Sequence, residues 1–473
     1  MSGRTTLAIR NFTSSFSELL RLPRAFWFVI GTFALEVGAY YGVLTLMTTY
    51  LSTDLHWGDV RAGTMVSVFT MLVTLFMLGA ASYAERFGVR RALLFALLLT
   101  FAGRALYSLA PRMGSGLMIA AFVVGSLVIV ALGEAIAQPV SYSGIKQYTD
   151  EKTHSMGYGL IYAIMNLALV GVGAVSSWMR PAVQAIKDGK PLGHIFARPV
   201  LEFFASFSAT GVQAANWAFV GLTGITLVLL FLLMTRRAEA AKLRPDPAEE
   251  IGKGPALPLR QRLKEFFAGG PLSNPRFVFF VFMLLPVRTL FAHQWLTMPQ
   301  YILRAYSEQV AGYMEVLVFW VNAGIIFFGV PIATALTRHV NIYTMMIIGT
   351  LVSAAPTFLL SAGPSLPLLL GYLVVFSVGE ALWSARFLEY ASELAPPGRV
   401  AQYMGMANIP WLLAKGTTGL YSGFLLSHFC PANTPRNELH TGRLWFIYGC
   451  IAMLSPIGLW LGRRWVRAER GKP

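Results

Sequence analysis

The chain has 473 residues, 55% of them hydrophobic and only 13% charged, with a mean hydropathy of +0.58. A soluble domain carries about 25% charged residues, so this composition excludes a water-exposed globular protein and points to a surface that faces lipid. The formal charge of +16 does not imply a nucleic-acid partner, because the basic residues sit in short runs between apolar stretches.

Residues 1–24 come first. Ile9, Phe12, Phe16, Leu19 and Leu20 recur there at helical spacing beside Arg10 and Arg21. That pattern fits an amphipathic segment lying on the membrane surface, or else a frayed polar tail. Apolar stretches of membrane-crossing length, about 20 residues, follow at 25–50, 61–83, 91–110, 116–140, 155–180 and 213–234. A linker at 236–272 is rich in charge, Pro and Gly, as in Arg244-Pro245-Asp246-Pro247, and is a poor helix interior. Six more apolar stretches follow at 276–303, 311–335, 343–362, 366–390, 400–428 and 443–463.

Helices are the expected spanning element, since a backbone in hydrocarbon must satisfy its own hydrogen bonds. The predicted architecture is therefore an all-α membrane protein with 12 transmembrane helices. Two six-helix bundles, 25–235 and 273–465, flank the linker 236–272, and a tail at 466–473 ends the chain. Arg21 and Arg24, Arg90 and Arg91, the linker and Arg463 to Lys472 carry the positive charge, which predicts cytoplasmic termini in a bacterial inner membrane. Cys430 and Cys450 are the only cysteines and the histidines are scattered, so no disulfide framework, metal site or cofactor is expected. No phosphate-cradling Gly-Lys-Ser/Thr loop and no catalytic constellation is present, so neither an ATP-driven pump nor an enzyme is expected. Pro139, Pro286, Pro331, Pro356 and Pro410 are expected to kink helices.

The halves echo each other. Gly133-Glu134-Ala135-Ile136 in the fourth segment matches Gly379-Glu380-Ala381-Leu382 in the tenth, and Met156-Gly157 in the fifth matches Met404-Gly405 in the eleventh. The loop from Gly79 to Arg91, containing Glu85-Arg86-Phe87-Gly88-Val89-Arg90-Arg91, resembles the signature loop of the major facilitator superfamily, with Glu85 where Asp is usual. Parallel repeats of this kind fit that superfamily's two halves.

Three further stretches resemble the proton-coupled oligopeptide transporter (POT/PTR) family. Glu36-Val37-Gly38-Ala39-Tyr40-Tyr41-Gly42 looks like the end of its Glu-x-x-Glu-Arg-Phe-x-Tyr-Tyr-Gly motif. Ile161-Tyr162-Ala163-Ile164-Met165-Asn166 looks like its Phe-Tyr-x-x-Ile-Asn motif, and Gly379-Glu380-Ala381-Leu382-Trp383-Ser384 looks like its Gly-Glu-Leu segment. There are departures. Phe33 and Val37 replace a Glu and an Arg, Leu44 and Gln138 stand at usual cationic positions, and Ala292-His293-Gln294 replaces an acidic pair. The resemblance implies a divergent relative.

Ionisable groups at bilayer depth are costly and mark functional sites or inter-helix pairs. Here they are Glu36, Arg104, Glu134, Arg288, His293, Glu315, Glu380, Arg386, Glu389 and Lys415. Glu36 with Tyr40 and Tyr41, Gln138, Tyr162 with Asn166, Arg288, His293, and Glu380 with Trp383 form polar and aromatic stripes suited to a solute cavity. The competing reading has the same groups merely bonding neighbouring helices. Arg104, Arg288 and Lys415 are equally suited to solute contact or to pairing with a carboxylate. Arg386 with Glu389 is expected to be a structural pair, and Glu315 a gate or surface group.

The functional expectation is a monomeric secondary transporter working by alternating access. Its partners are a small-molecule substrate, a proton and the lipid bilayer. Glu36 and Glu380 carry the proton, and the resemblance implies symport of a peptide-like or amine-bearing compound. An exporter or flippase of an amphiphile, and a non-transporting receptor or scaffold, are the alternatives.

Overall fold

The computed structural model describes residues 20–84, 88–114, 116–150, 153–191, 197–243, 273–337, 340–393 and 409–467. The amphipathic N-terminal stretch, most of the linker, residues 85–87 and Met404-Gly405 lie outside these, as do the side chains of Tyr158, Tyr162 and Glu389.

All twelve expected segments contain helix, and no strand occurs among the described residues. In the first half the helices are α1 (Arg24–Thr49), α2 (Gly58–Ala84), α3 (Val89–Leu109), α4 (Leu117–Gln147), α5 (His154–Lys187), α6 (Arg198–Phe207) and α7 (Gly211–Leu233). In the second they are α8 (Pro275–Met283), α9 (Leu285–Leu296), α10 (Met298–Ala305), α11 (Met314–Thr337), α12 (Ile342–Ala354), α13 (Leu366–Glu393), α14 (Ile409–Phe429) and α15 (Thr441–Arg467). Among the described residues nine helices are long and apolar enough to cross a membrane, and Met314–Val330 is a shorter apolar one. The protein is an all-α membrane protein of two six-helix halves.

The polarity is that of a protein dissolved in lipid. Phe95, Leu98, Leu167, Phe231, Phe328, Phe424 and Leu461 are exposed, whereas Glu36, Arg104, Glu134 and Glu315 are buried. Charge hides in the interior and hydrocarbon covers the outside, the reverse of a soluble domain.

Two elements depart from expectation. The seventh segment is three helices, α8 to α10, rather than one, with Pro286 and Pro299 in the first turns of α9 and α10. Proline has no N–H to donate, which costs nothing in a first turn. Pro356 likewise starts the 3-10 stretch Ala355–Ala362. Pro139 is inside α4 as expected. The second departure is α6, which lies between the expected spans 155–180 and 213–234. It buries Leu201 and Ala205 four residues apart, and Phe207 meets Trp217 of α7 edge-on at 5.8 Å.

The chain divides into two compact units. The first holds Met1–Val43, Leu72–Val172 and Ala182–Pro255; the second holds Leu44–Met71, Gly173–Pro181 and Ala256–Pro473. Pieces of α1, α2 and α5 thus belong to the unit that contains the whole second half. In the first unit Phe26, Val29, Ile30, Phe33 and Val37 form a stripe along α1 against Leu93 and Leu97 of α3, Val140 of α4, Ile161 of α5 and Leu230 of α7.

The repeated glycines do the same job in each unit. A methyl group on Gly133 of α4 would come within 2.8 Å of the Ala96 carbonyl on α3. One on Gly379 of α13 would meet the Ser353 hydroxyl on α12 at 2.5 Å. Only glycine lets these backbones approach so closely.

The start of α3 is anchored in the first unit. Gly88 adopts φ +82°, a conformation disfavoured for residues with a side chain. Glu239 accepts the Arg90 backbone N–H at 3.0 Å, placing a carboxylate at the positive end of α3. The Arg90 guanidinium donates to the Met234 carbonyl and, at 3.2 Å, to that of Phe231, closing the C-terminal end of α7.

Candidate functional site

In the first unit, three charges from three helices converge. Arg104 of α3 lies 3.0 Å from Glu36 of α1 and 2.6 Å from Glu134 of α4, with all three side chains buried. The second contact is an aligned hydrogen bond. The first is an ion pair by distance only, for neither Glu36 oxygen has a hydrogen-bond partner. Arg104 also donates to the Thr223 hydroxyl of α7, and Gln138 donates weakly to Glu134 at 3.5 Å. Two carboxylates share one guanidinium, so the cluster has one negative charge in excess when all are ionised. A single proton neutralises it. Tyr40 and Tyr41 meet edge-on at 5.1 Å, and Asn166 is buried on α5.

In the second unit Glu380 of α13 accepts the Asn322 amide of α11 at 2.8 Å. Asn322 also donates to Ser377 at 3.0 Å. No cation reaches this carboxylate among the described residues. Trp383, one turn on, is locked by its indole N–H to the Ser353 hydroxyl at 3.3 Å. Arg288 of α9 stacks on Phe387, its Cζ 4.2 Å from the ring centre, rather than on a carboxylate.

His293 is buried with both ring nitrogens occupied, by Thr297 at 2.7 Å and Tyr421 at 3.1 Å. Tyr448 stacks on its ring at 3.8 Å. Arg386 is buried and meets the Thr337 hydroxyl at 3.4 Å; its expected partner Glu389 is outside the described side chains.

Two further ion pairs in the second unit were not legible in the sequence. Arg304 of α10 grips Asp59 of α2 with two bonds of 2.6 Å and reaches the Cys430 carbonyl at 2.7 Å. Ser52 donates to the same carboxylate at 2.5 Å. Arg180 of α5 grips Glu315 of α11 at 2.6 and 3.0 Å, and Ser176 and Ser177 complete the shell at 3.0 Å each. Asp59 in a first turn and Arg304 in a last turn read from sequence as ordinary companions of the helix dipole. Only their burial sets them apart. The neighbouring Cys430 is buried, which pushes its thiol up to about 11.

The sequence model of the Major Facilitator Superfamily matches residues 28–416. No curated protein matches the chain. Among solved structures, a POT family transporter in complex with 5-aminolevulinic acid is 15% identical, with TM-score 0.64 over 94% of this chain and 97% of that one. The peptide transporter POT in complex with alafosfalin is 16% identical, with TM-score 0.66 over 95% and 96%. The nucleoside transporter NupG is 13% identical, with TM-score 0.58 over 92% and 99%. At such identities these likenesses speak for the fold alone.

Proposed function

The chain belongs to the major facilitator superfamily, as a transporter rather than an enzyme, and from that premise we propose that it is a proton-coupled symporter of a peptide-like or amine-bearing solute. It works as a monomer in a bacterial inner membrane, with both termini cytoplasmic. The observation that carries this reading is Glu380, a carboxylate on a transmembrane helix whose partner among the described residues is a neutral amide, Asn322. A carboxylate away from water and without a cation is costly. A proton in one state of the cycle and a substrate amine in another relieve that cost. Glu36 is the second proton carrier, through the excess negative charge it shares with Glu134 around Arg104. The pairs Asp59–Arg304 and Arg180–Glu315 act as latches that part when the protein changes access. 5-Aminolevulinic acid and alafosfalin, bound by the structural neighbours, are the first compounds to try.

The test reconstitutes the protein in liposomes with an imposed pH gradient. Glu380→Gln and Glu36→Gln are expected to abolish uphill accumulation while sparing counterflow exchange. Accumulation that survives both substitutions, singly and together, sinks the proton assignment. Topology is tested on a background lacking Cys430 and Cys450. Single cysteines replacing Glu250 or Arg470 are expected to resist impermeant thiol reagents in intact cells, whereas those replacing Asp188 or Thr434 label; the reverse pattern overturns the orientation.

A further inference from the structure

Three helices of the second unit each present a pair of residues one turn apart. These are Arg288 and Phe291 on α9, Trp383 and Phe387 on α13, and Trp411 and Lys415 on α14. The four rings form an unbroken row. Phe387 lies 6.4 Å from Trp383, Trp383 lies 5.8 Å from Phe291, and Phe291 lies 6.1 Å from Trp411. Each end of the row carries a cation. Arg288 sits over Phe387 at 4.2 Å, and Lys415 sits over Trp411 at 5.2 Å.

Neither cation meets a counter-charge among the described residues. Arg288 is more than nine-tenths buried and its Nε has no hydrogen-bond partner. No carboxylate pairs with Arg288 or Lys415 among the described residues. Every other buried cation described above has found a polar partner: Arg104 two carboxylates, Arg180 and Arg304 one each, Arg386 a hydroxyl. A ring face is worth about 0.5–2 kcal/mol to a cation, well short of replacing the several kcal/mol of lost hydration. Phe291, Trp411 and Lys415 are only half-buried, so the row is open along that side.

We propose that this row is an anion subsite, in which Arg288 and Lys415 hold a carboxylate or phosphonate group while the ring faces hold an aromatic or apolar body attached to it. The guanidinium supplies paired N–H donors suited to a flat oxyanion, and the ammonium supplies a point charge. The locked indole of Trp383 keeps the row in place without its own rearrangement. The inference rests on the transport reading only for calling the ligand a substrate. It makes that substrate an anion-bearing compound as well as an amine-bearing one, with the anion in the second unit, because Arg104 in the first is already neutralised.

The test needs no amine. Calorimetry on the full-length protein in detergent compares 3-phenylpropanoate with 3-phenylpropanamide, which differ only in the anion. The acid is expected to bind at least about tenfold more tightly than the amide, a difference of about 1.4 kcal/mol. Lys415→Gln and Arg288→Gln are each expected to shrink that preference toward one. Should Arg288→Gln fail to fold, Arg288→Lys, which keeps the charge and loses the fork, is expected to retain part of it. Equal binding of acid and amide, no binding of either, or a preference that survives both substitutions overturns the subsite. Displacement of the acid by phosphatidylglycerol assigns the natural anion to a lipid headgroup, and indifference to it assigns a soluble solute; both outcomes uphold the site. A failed probe leaves the Glu380 accumulation test standing, and a failed accumulation test leaves the anion subsite standing.

Discussion

Gly133-Glu134 on α4 and Gly379-Glu380 on α13 are one sequence written twice, and the two copies share their packing but not their electrostatics. Each glycine lets its helix press against the one before it in the chain, α3 or α12. Each glutamate, one residue on, meets a different kind of side chain. Glu134 meets Arg104 at 2.6 Å and is charge-compensated. Glu380 meets the amide of Asn322 at 2.8 Å and no cation among the described residues. A backbone-to-backbone contact depends on one small residue and its neighbour, so it survives duplication. A charge partner is a single side chain, on α3 for Glu134, which each half is free to change. Across the two units, the first has an excess of carboxylate around Arg104, and the second holds two cations, Arg288 and Lys415, that meet no carboxylate among the described residues.

The sharpest way to break this comparison is to remove the compensating cation. Arg104→Met leaves two buried carboxylates without a counter-charge and is predicted to cost about 3–5 kcal/mol of stability, read as a large drop in unfolding midpoint in detergent. Adding Glu36→Gln and Glu134→Gln to it should restore most of the loss. A cost below about 1 kcal/mol would mean the carboxylates do not depend on Arg104, and the contrast with Glu380 would collapse.

The shared half of the comparison is tested next. Gly133→Ala and Gly379→Ala each push a methyl group into a neighbouring helix and are predicted to cost about 1–3 kcal/mol apiece. The two losses should be similar by the same measurement. Tolerance at one position with collapse at the other would show that the repeat does not conserve packing.

The smallest effects sharpen the polar contacts. Asn322→Ala strips Glu380 of its amide partner and is predicted to cost about 1–2 kcal/mol. Gln138→Ala removes a bond of 3.5 Å to a carboxylate that Arg104 already holds, and is predicted to stay within about 0.5 kcal/mol. If Gln138→Ala proves the costlier of the two, Glu134 rather than Glu380 is the carboxylate that leans on an amide.

Much of the membrane architecture was legible because hydropathy and length are local properties. The twelve apolar stretches each contain helix among the described residues, and the repeated Gly-Glu pairs marked equivalent helices. In the seventh segment the break at Pro286 was signalled as an expected kink, whereas the one at Pro299 was masked by an unbroken apolar run. Helix α6 was hidden by its shortness, since ten residues with one apolar stripe cannot be mistaken for a membrane span. Glu36, Arg104, Glu134, Arg288, Glu380 and Lys415 stood out as charges inside apolar runs. Asp59 and Arg304 did not, because a charge at a helix end is unremarkable until neighbours cover it, and Arg180 did not, because it closes the apolar stretch 155–180.

The sequence by itself determined the class of protein, the number of membrane segments and the set of charges that the bilayer forbids unless they are partnered. It did so because each follows from residues adjacent in the chain or one helical turn apart. Which of those charges cancel was decided only by the tertiary structure. Arg104 lies on α3, and its two carboxylates come from α1 and α4; Arg288 of α9 sits on a ring contributed by α13. A counter-charge acts through a few ångströms of space, and no spacing along the chain encodes which helix will be there.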